Sequence, residues 1–482
     1  MSDNDSKSYI EDRLPLKTKL SFAGIAFTSG LFSGLVITVG FTTFYVEKFG
    51  LDPNLAAIVW TIFIFWNTIN DPLIGFFQER TGSEKRGRRK PYIRYGAPLY
   101  AILFIICWFP FGTGWLVVFL HMLILLYLFD TLFTTVGLIS YSLPAEMTVS
   151  EHARSDLMVY GSIAQALALL LSFVFPFFLN EEPYNLDPNF DLFRIIMIVI
   201  GIVGGVILFV SSYFIKENKY AIKEEPLSFK DSFLKTIDNK PFLIFEAGNF
   251  IYLTAQFILT NGLFFYLTYV LGLDSFTDKI IPLLIFFIFV FLFLPIHKRI
   301  VNKIGLKKAF IFTLSFTGMS FLIGFAGVGW TFPLSIITMV MIGIGFSGYF
   351  LTNQMVMADI IDHDELLTGK RRETSYSGMN ALITKPAVSI GPMILLLTAG
   401  AFGFDPDISL GGYSPAQLTS VQLGVMLSFM LIPAILILIA AGIMYFYPLE
   451  GKEWREKKEQ LHEVHQQKEK EFIEELKREG KI

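Results

Sequence analysis

The chain has 482 residues, of which 53% are hydrophobic, 16% aromatic and only 17% charged. Soluble domains carry about 25% charged residues, so this composition excludes an ordinary water-soluble fold. The formal net charge of −3 leaves no basic footprint for nucleic acid, and the single cysteine, Cys107, excludes an internal disulfide.

A bilayer core of about 30 Å is crossed by about 20 apolar residues in a helix. Taken in chain order, that test places spans at residues 21–46, 54–79, 93–112, 115–141, 156–179 and 191–216, then 243–271, 276–298, 307–328, 330–356, 375–402 and 420–448. The runs Ile280 to Ile296, Ala309 to Val328 and Leu423 to Leu449 are almost free of charge. The expected fold class is therefore an all-α polytopic membrane protein with 12 transmembrane helices in two six-helix halves. The expected parts are an N-terminal segment 1–20, a bundle 21–216, a linker 217–242, a second bundle 243–448 and a tail 449–482.

The first segment is too polar for a signal peptide, so the first span itself is expected to direct insertion. In the tail, Trp454, Leu461, Val464, Phe472 and Leu476 recur at near-heptad spacing among alternating Glu and Lys. That pattern predicts an amphipathic helix in solvent or on the membrane face.

Cationic loops stay cytoplasmic. Arg80, Lys85, Arg86, Arg88, Arg89, Lys90 and Arg94 follow span two, Lys298, Arg299, Lys303, Lys307 and Lys308 follow span eight, and Lys370 to Arg372 follow span ten. The alternate stretches Asn180 to Phe193 and Phe402 to Leu423 hold no cation. Both termini are thus expected in the cytoplasm, with the chain in the plasma membrane. The segments Lys85 to Lys90 and Lys303 to Lys308 resemble each other six spans apart. Parallel halves of this kind describe the major facilitator architecture, in which the solute binds between halves near the midplane.

A charge at a helix centre costs about 2.5–3.5 kcal/mol to insert, so an intramembrane charge marks a task or a partner. Asp71 lies in span two, Asp130 midway along span four and Lys385 in span eleven. Asn67, one turn before Asp71, adds an oxygen on the same face. Pro72 frees the carbonyl of Thr68 as a third oxygen. Three such oxygens suit Na⁺, and a desolvated Asp71 carboxyl suits H⁺; both stay open. Asp71 and Lys385 each precede a proline, and a cross-bundle pair would neutralise both; a cation competing for Asp71 would then couple ion occupancy to conformation. The alternative is a permanent structural ion pair. Asp130 either accepts solute hydroxyls or satisfies His121 or a neighbouring backbone group. Trp66, Thr134 and Asn380 are further candidates for solute contact, Trp66 as a stacking face.

Asn70 to Gly75, Arg80-Thr81, Gly87 to Tyr92, Tyr141 to Thr148 with Arg154, and Ala358 to Glu373 followed by Lys385 resemble the glycoside-pentoside-hexuronide:cation symporters, the melibiose permease group of the major facilitator superfamily. The resemblance covers residues 15–450 and implies a secondary active symporter that uses Na⁺ or H⁺ to accumulate a sugar, glycoside or hexuronate by alternating access. Where sugar and sodium members carry two acids on span two, this chain has Asn67 and one acid, Asp71. A branch of the family that carries lysophospholipids supplies a second reading, and a non-transporting sensor or scaffold a third. Arg88, Arg89 and Arg94 are expected to pair with Glu146, Asp359, Asp362 or Asp364 across a closed cytoplasmic gate. No positioned nucleophile, phosphate loop or metal cluster is present in the sequence, which argues against an enzyme. The expected partners are a small solute, the coupling cation and the bilayer, with no cofactor, no bound metal apart from transported Na⁺ at Asp71, no nucleic acid and a monomeric state.

Overall fold

The computed structural model describes residues 14–80, 90–147, 151–178, 184–215, 236–369, 372–406, 408, 410–454 and 456–461. Twelve long helices, and no strand, are found among them. In the first half these are α1 (Leu16–Ser33), α2 (Pro53–Arg80), α3 (Lys90–Ile106), α4 (Trp115–Met147), α5 (Glu151–Val174) and α6 (Phe190–Phe214). In the second they are α7 (Lys240–Phe265), α8 (Phe276–Ile304), α9 (Leu306–Ala326), α10 (Ser335–Thr368), α11 (Glu373–Ala401) and α12 (Pro415–Met426). α1 runs on through wide π turns at Gly34–Val39 and Phe44–Lys48, α7 through one at Tyr266–Val270, and α12 through one at Leu427–Leu431 into Ile432–Met444. Ten helices are long and apolar enough to cross a bilayer. α2, whose middle carries Asn67, Asn70 and Asp71, and α3, with 17 residues, fall outside that count.

Helices α1 to α6 pack among themselves, as do α7 to α12. The halves meet chiefly along α2 and α11, which run antiparallel. A Cβ on Gly400 would sit 3.4 Å from the Asn54 amide, Thr61 Oγ1 lies 3.1 Å from Met393 Sδ, and Asn67 reaches Lys385. Successive helices alternate in direction, so the start of α1 and the end of the α12 extension lie at one end of the bundle, here the terminal face; the opposite end is the far face.

Close helix approach rests on small residues where dispersion, rather than water exclusion, holds helices together. A Cβ on Gly343 of α10 would lie 2.6 Å from the Phe286 carbonyl of α8, and one on Gly204 of α6 would lie 2.6 Å from the Phe32 ring of α1. Gly343 therefore belongs to a packing seam against α8, and Gly345 to one against Thr317 of α9. Lipid-facing positions are as plain: Phe65, Ile69 and Leu73, four residues apart on α2, are all exposed. The opposite face of the same helix must then carry Asn67, Asn70 and Asp71 inward.

Residues 451–454 and 456–461 are helical, and Trp454 and Leu461 are buried. Instead of lying free in solvent or on the membrane face, this first part of the tail is docked. Trp454 Nε1 donates to Asp359 Oδ2 at 2.9 Å, and Lys458 Nζ lies 2.6 Å from Asp359 Oδ1.

Candidate functional site

The inward face of α2 meets α4 and α11 at mid-bundle. Lys385 Nζ of α11 lies 2.5 Å from Asp71 Oδ1, each side chain 13% exposed, and donates a second bond to Thr134 Oγ1 of α4 at 3.1 Å. Asn67 Nδ2 donates to the Lys385 carbonyl at 3.0 Å. The structure thus brings Asp71, Asn67, Lys385 and Thr134 together across the two halves. The Thr68 hydroxyl donates to the Ile64 carbonyl of its own helix at 2.7 Å.

Asn70, which the sequence reading passed over, is the hub of the N-terminal side. Its Nδ2 reaches Asp130 Oδ2 at 2.7 Å, the Asp130 carbonyl at 3.1 Å and Thr134 Oγ1 at 2.9 Å. Asn70 Oδ1 is buried with no hydrogen-bond partner among the described residues. Asp130 is therefore held by a carboxamide and not by His121, whose Nδ1 lies 2.5 Å from the Tyr45 hydroxyl. The signal for Asn70 was available: it lies one helical turn beyond Asn67, on the same buried face.

Trp66 serves the α2–α4 contact. Its indole N–H donates to Thr131 Oγ1 at 3.2 Å, and one ring face stacks on Tyr127, 5.6 Å between centroids, so that face is not offered to a solute. Asn380, expected near the solute, turns instead into the second half. Asn249 Nδ2 of α7 donates to Asn380 Oδ1 at 3.0 Å, and Tyr349 of α10 donates to Asn249 Oδ1 at 2.5 Å. Glu246 of α7, absent from the sequence reading, is buried beside them.

The expected gate differs from the contacts found. Arg94 Nε donates to Ser212 Oγ at 3.2 Å, and its guanidinium stacks on Tyr213 at 3.9 Å, both on α6 of its own half. Asp364 is bound by Arg372, eight residues on, and Asp359 by the docked tail. The reason is reach: each of these groups finds a partner within its own half before the other half is near. Asp362 lies on the same last turns of α10. Arg88 and Arg89 and the Glu146 side chain lie outside the described residues.

The far face is where the halves are joined. Tyr269 of the α7 extension donates to Glu47 Oε2 at 3.0 Å, and Thr42 Oγ1 donates to Asn261 Oδ1 at 3.4 Å while accepting from Trp60 Nε1 at 3.0 Å. Phe173 of α5 meets Phe287 of α8 edge-on, 5.8 Å between centroids. Lys48, next to Glu47, is buried against Asp187 at 2.5 Å.

A two-half helical bundle with charge paired across its midplane is the arrangement of a carrier, and the family comparison agrees. Residues 21–451 match the MFS/sugar transport protein family. The chain belongs to that family. As a member it is a major facilitator superfamily transporter, a multi-pass membrane protein and not an enzyme. It is 24% identical to the sodium-dependent lysophosphatidylcholine symporter 1 of Gallus gallus over 95% of this chain and 91% of the relative. It is 23% identical to the glucuronide carrier protein homolog of Escherichia coli K12 over 86% and 88%. Among solved structures, a D-xylose-proton symporter superposes with TM-score 0.64 at 13% identity, covering 89% of this chain and 97% of the other. A bacterial homologue of the lysosomal transporter Spinster superposes with TM-score 0.65 at 13% identity, covering 89% and 96%.

Proposed function

We propose that this transporter is a cation-coupled symporter that works by alternating access, with Asp71 as the cation site and Lys385 as its exchangeable partner. The observation that carries this reading is the Lys385 ammonium held between Asp71 Oδ1 and Thr134 Oγ1. An ammonium in a cradle of oxygens occupies the place a competing Na⁺ or H⁺ would take. Cation binding at Asp71 would release Lys385, which belongs to the other half, so occupancy and the relative position of the halves are linked. The terminal face is the cytoplasmic one in this reading, in keeping with its loop cations.

The solute is a carbohydrate: a sugar, glycoside or hexuronate. Support comes from the layer of hydroxyl and carboxamide groups at mid-bundle and from the glucuronide carrier relative. A lysophospholipid is the second reading, favoured by the lysophosphatidylcholine symporter relative. Thermal unfolding of the purified protein against sugars, hexuronates and lysolipids, each with and without Na⁺, tests both, because a ligand of the folded state raises apparent stability. Stabilisation by a sugar that grows with Na⁺ or with acid and vanishes in Asp71→Ala is the expected result. Stabilisation by lysolipid alone replaces the carbohydrate reading, and ligand effects unchanged in Asp71→Ala sink the coupling role.

A further inference from the structure

Glu246 lies six residues into α7, ~9 Å along its axis at the usual rise, and is 1% exposed. No lysine or arginine lies against it among the described residues, and its hydrogen-bonding neighbours are uncharged. α7 itself supplies Asn249, α10 supplies Tyr349, and α11 supplies Asn380. α12 packs on this stretch of α7 through Ala440 and Met444, which face Gly248. The nearest cation of α11, Lys385, is taken by Asp71.

The hydrogen bonds here have a direction. Tyr349 O–H donates to Asn249 Oδ1, and Asn249 Nδ2 donates to Asn380 Oδ1. The Asn380 atom that accepts this bond also lies 3.0 Å and 3.2 Å from the two Glu246 carboxylate oxygens. Two acceptors at that distance need a proton between them. Turning the Asn380 amide round would give its nitrogen to the carboxylate, but would set it 3.0 Å from Asn249 Nδ2, donor against donor. Turning Asn249 as well would hand its nitrogen to the Tyr349 hydroxyl, which can accept, and Asn380 would then donate to the carboxylate. With the amides as they stand the chain closes when Glu246 itself donates, that is, when its carboxyl is protonated; with both amides turned Asn380 donates to the carboxylate, and burial without a counter-charge decides for the protonated acid. The energetics agree, since an ionised carboxylate buried without a counter-charge is costly and the neutral acid is the form such a site tolerates.

We propose that Glu246 is a proton-binding site, distinct from the Asp71–Lys385 pair and loaded with a proton in this conformation. Asn380, half-buried, is its link toward the mid-bundle layer. The proposal concerns the second half alone and holds whether or not Asp71 binds a cation.

Infrared difference spectroscopy of the purified full chain tests it without any knowledge of the solute. The protonated-carboxyl stretch should be present at neutral pH in the native protein, lose one component in Glu246→Gln, and keep that component in Asp71→Asn. In Glu246→Asp the component should shift and persist. Glu246→Gln replaces one neutral donor by another, so its melting temperature should stay near that of the native protein. A spectrum unchanged by Glu246→Gln overturns the proposal. So does a Glu246→Gln protein that fails to fold, since the site would then require the charged carboxylate.

Discussion

The two ends of the bundle are held in different ways. At the far face, contacts run from one half to the other: Glu47 to Tyr269, Thr42 to Asn261, Phe173 to Phe287. At the terminal face the described polar groups bond within their own half, Arg94 to Ser212, Lys19 to Asp156, Arg372 to Asp364, and Asp359 to the tail. The Asp71–Lys385 pair stands between these regimes. The difference teaches that intramembrane charge here does two jobs: contacts inside a half make a rigid body, and contacts between halves select a conformation.

The strongest way to break the comparison is at the pair between the ends. Asp71→Ala should abolish solute accumulation, and it leaves the Lys385 ammonium without its counter-charge, a loss of about 3–5 kcal/mol when one partner of a buried pair is removed. Melting of Asp71→Ala, Lys385→Ala and the double variant checks this; the double variant should be less unstable than the sum of the singles.

At the far face, Tyr269→Phe removes one donor from Glu47, at about 0.5–1.5 kcal/mol. It should shift the population toward opening on that side. A cysteine placed at Asn261 reports this as faster alkylation by a membrane-impermeant thiol reagent, and native Cys107, being buried, contributes little background.

At the terminal face, Trp454→Phe removes one donor from Asp359 and should cost about 0.5–1.5 kcal/mol in melting while leaving far-face alkylation unchanged. If instead it changes that alkylation, the tail acts on conformation and the two ends are not independent. The smallest effect is expected for Trp66→Phe. That change keeps the ring against Tyr127 and loses one bond to Thr131, with accumulation retained and a shift of under about 1 kcal/mol.

Much of the architecture was legible because bilayer thickness sets helix length and lipid contact sets side-chain polarity. The Asp71–Lys385 contact was legible for a similar reason: two opposite charges inside apolar spans have few ways to be neutralised. Glu246 carried the same signal, but it sits near the start of its span, close to the charged linker, and reads there as an interfacial residue. Asp359 shows the other limit. Its partners lie 95 and 99 residues further on, and spacing along the chain says nothing about a contact set by how the tail folds back. Arg94 misled for the converse reason, since a cationic loop motif fixes which side of the membrane a residue lies on, but not which neighbour it meets.

The pairing of Asp71 with Lys385 has an electrical consequence. With the pair closed, Asp71 and Lys385 cancel, and voltage exerts little force on the pair as the halves reorient. A cation seated at Asp71 neutralises the aspartate and leaves the ammonium charged, so the loaded centre carries one unit. Moving one charge through the membrane field is worth about 2.3 kcal/mol per 100 mV. For an uncharged solute the loaded step would thus be drawn by an inside-negative potential and the empty return step would not, so transport of a neutral sugar by this chain should carry current, and transport of a hexuronate with one cation should not.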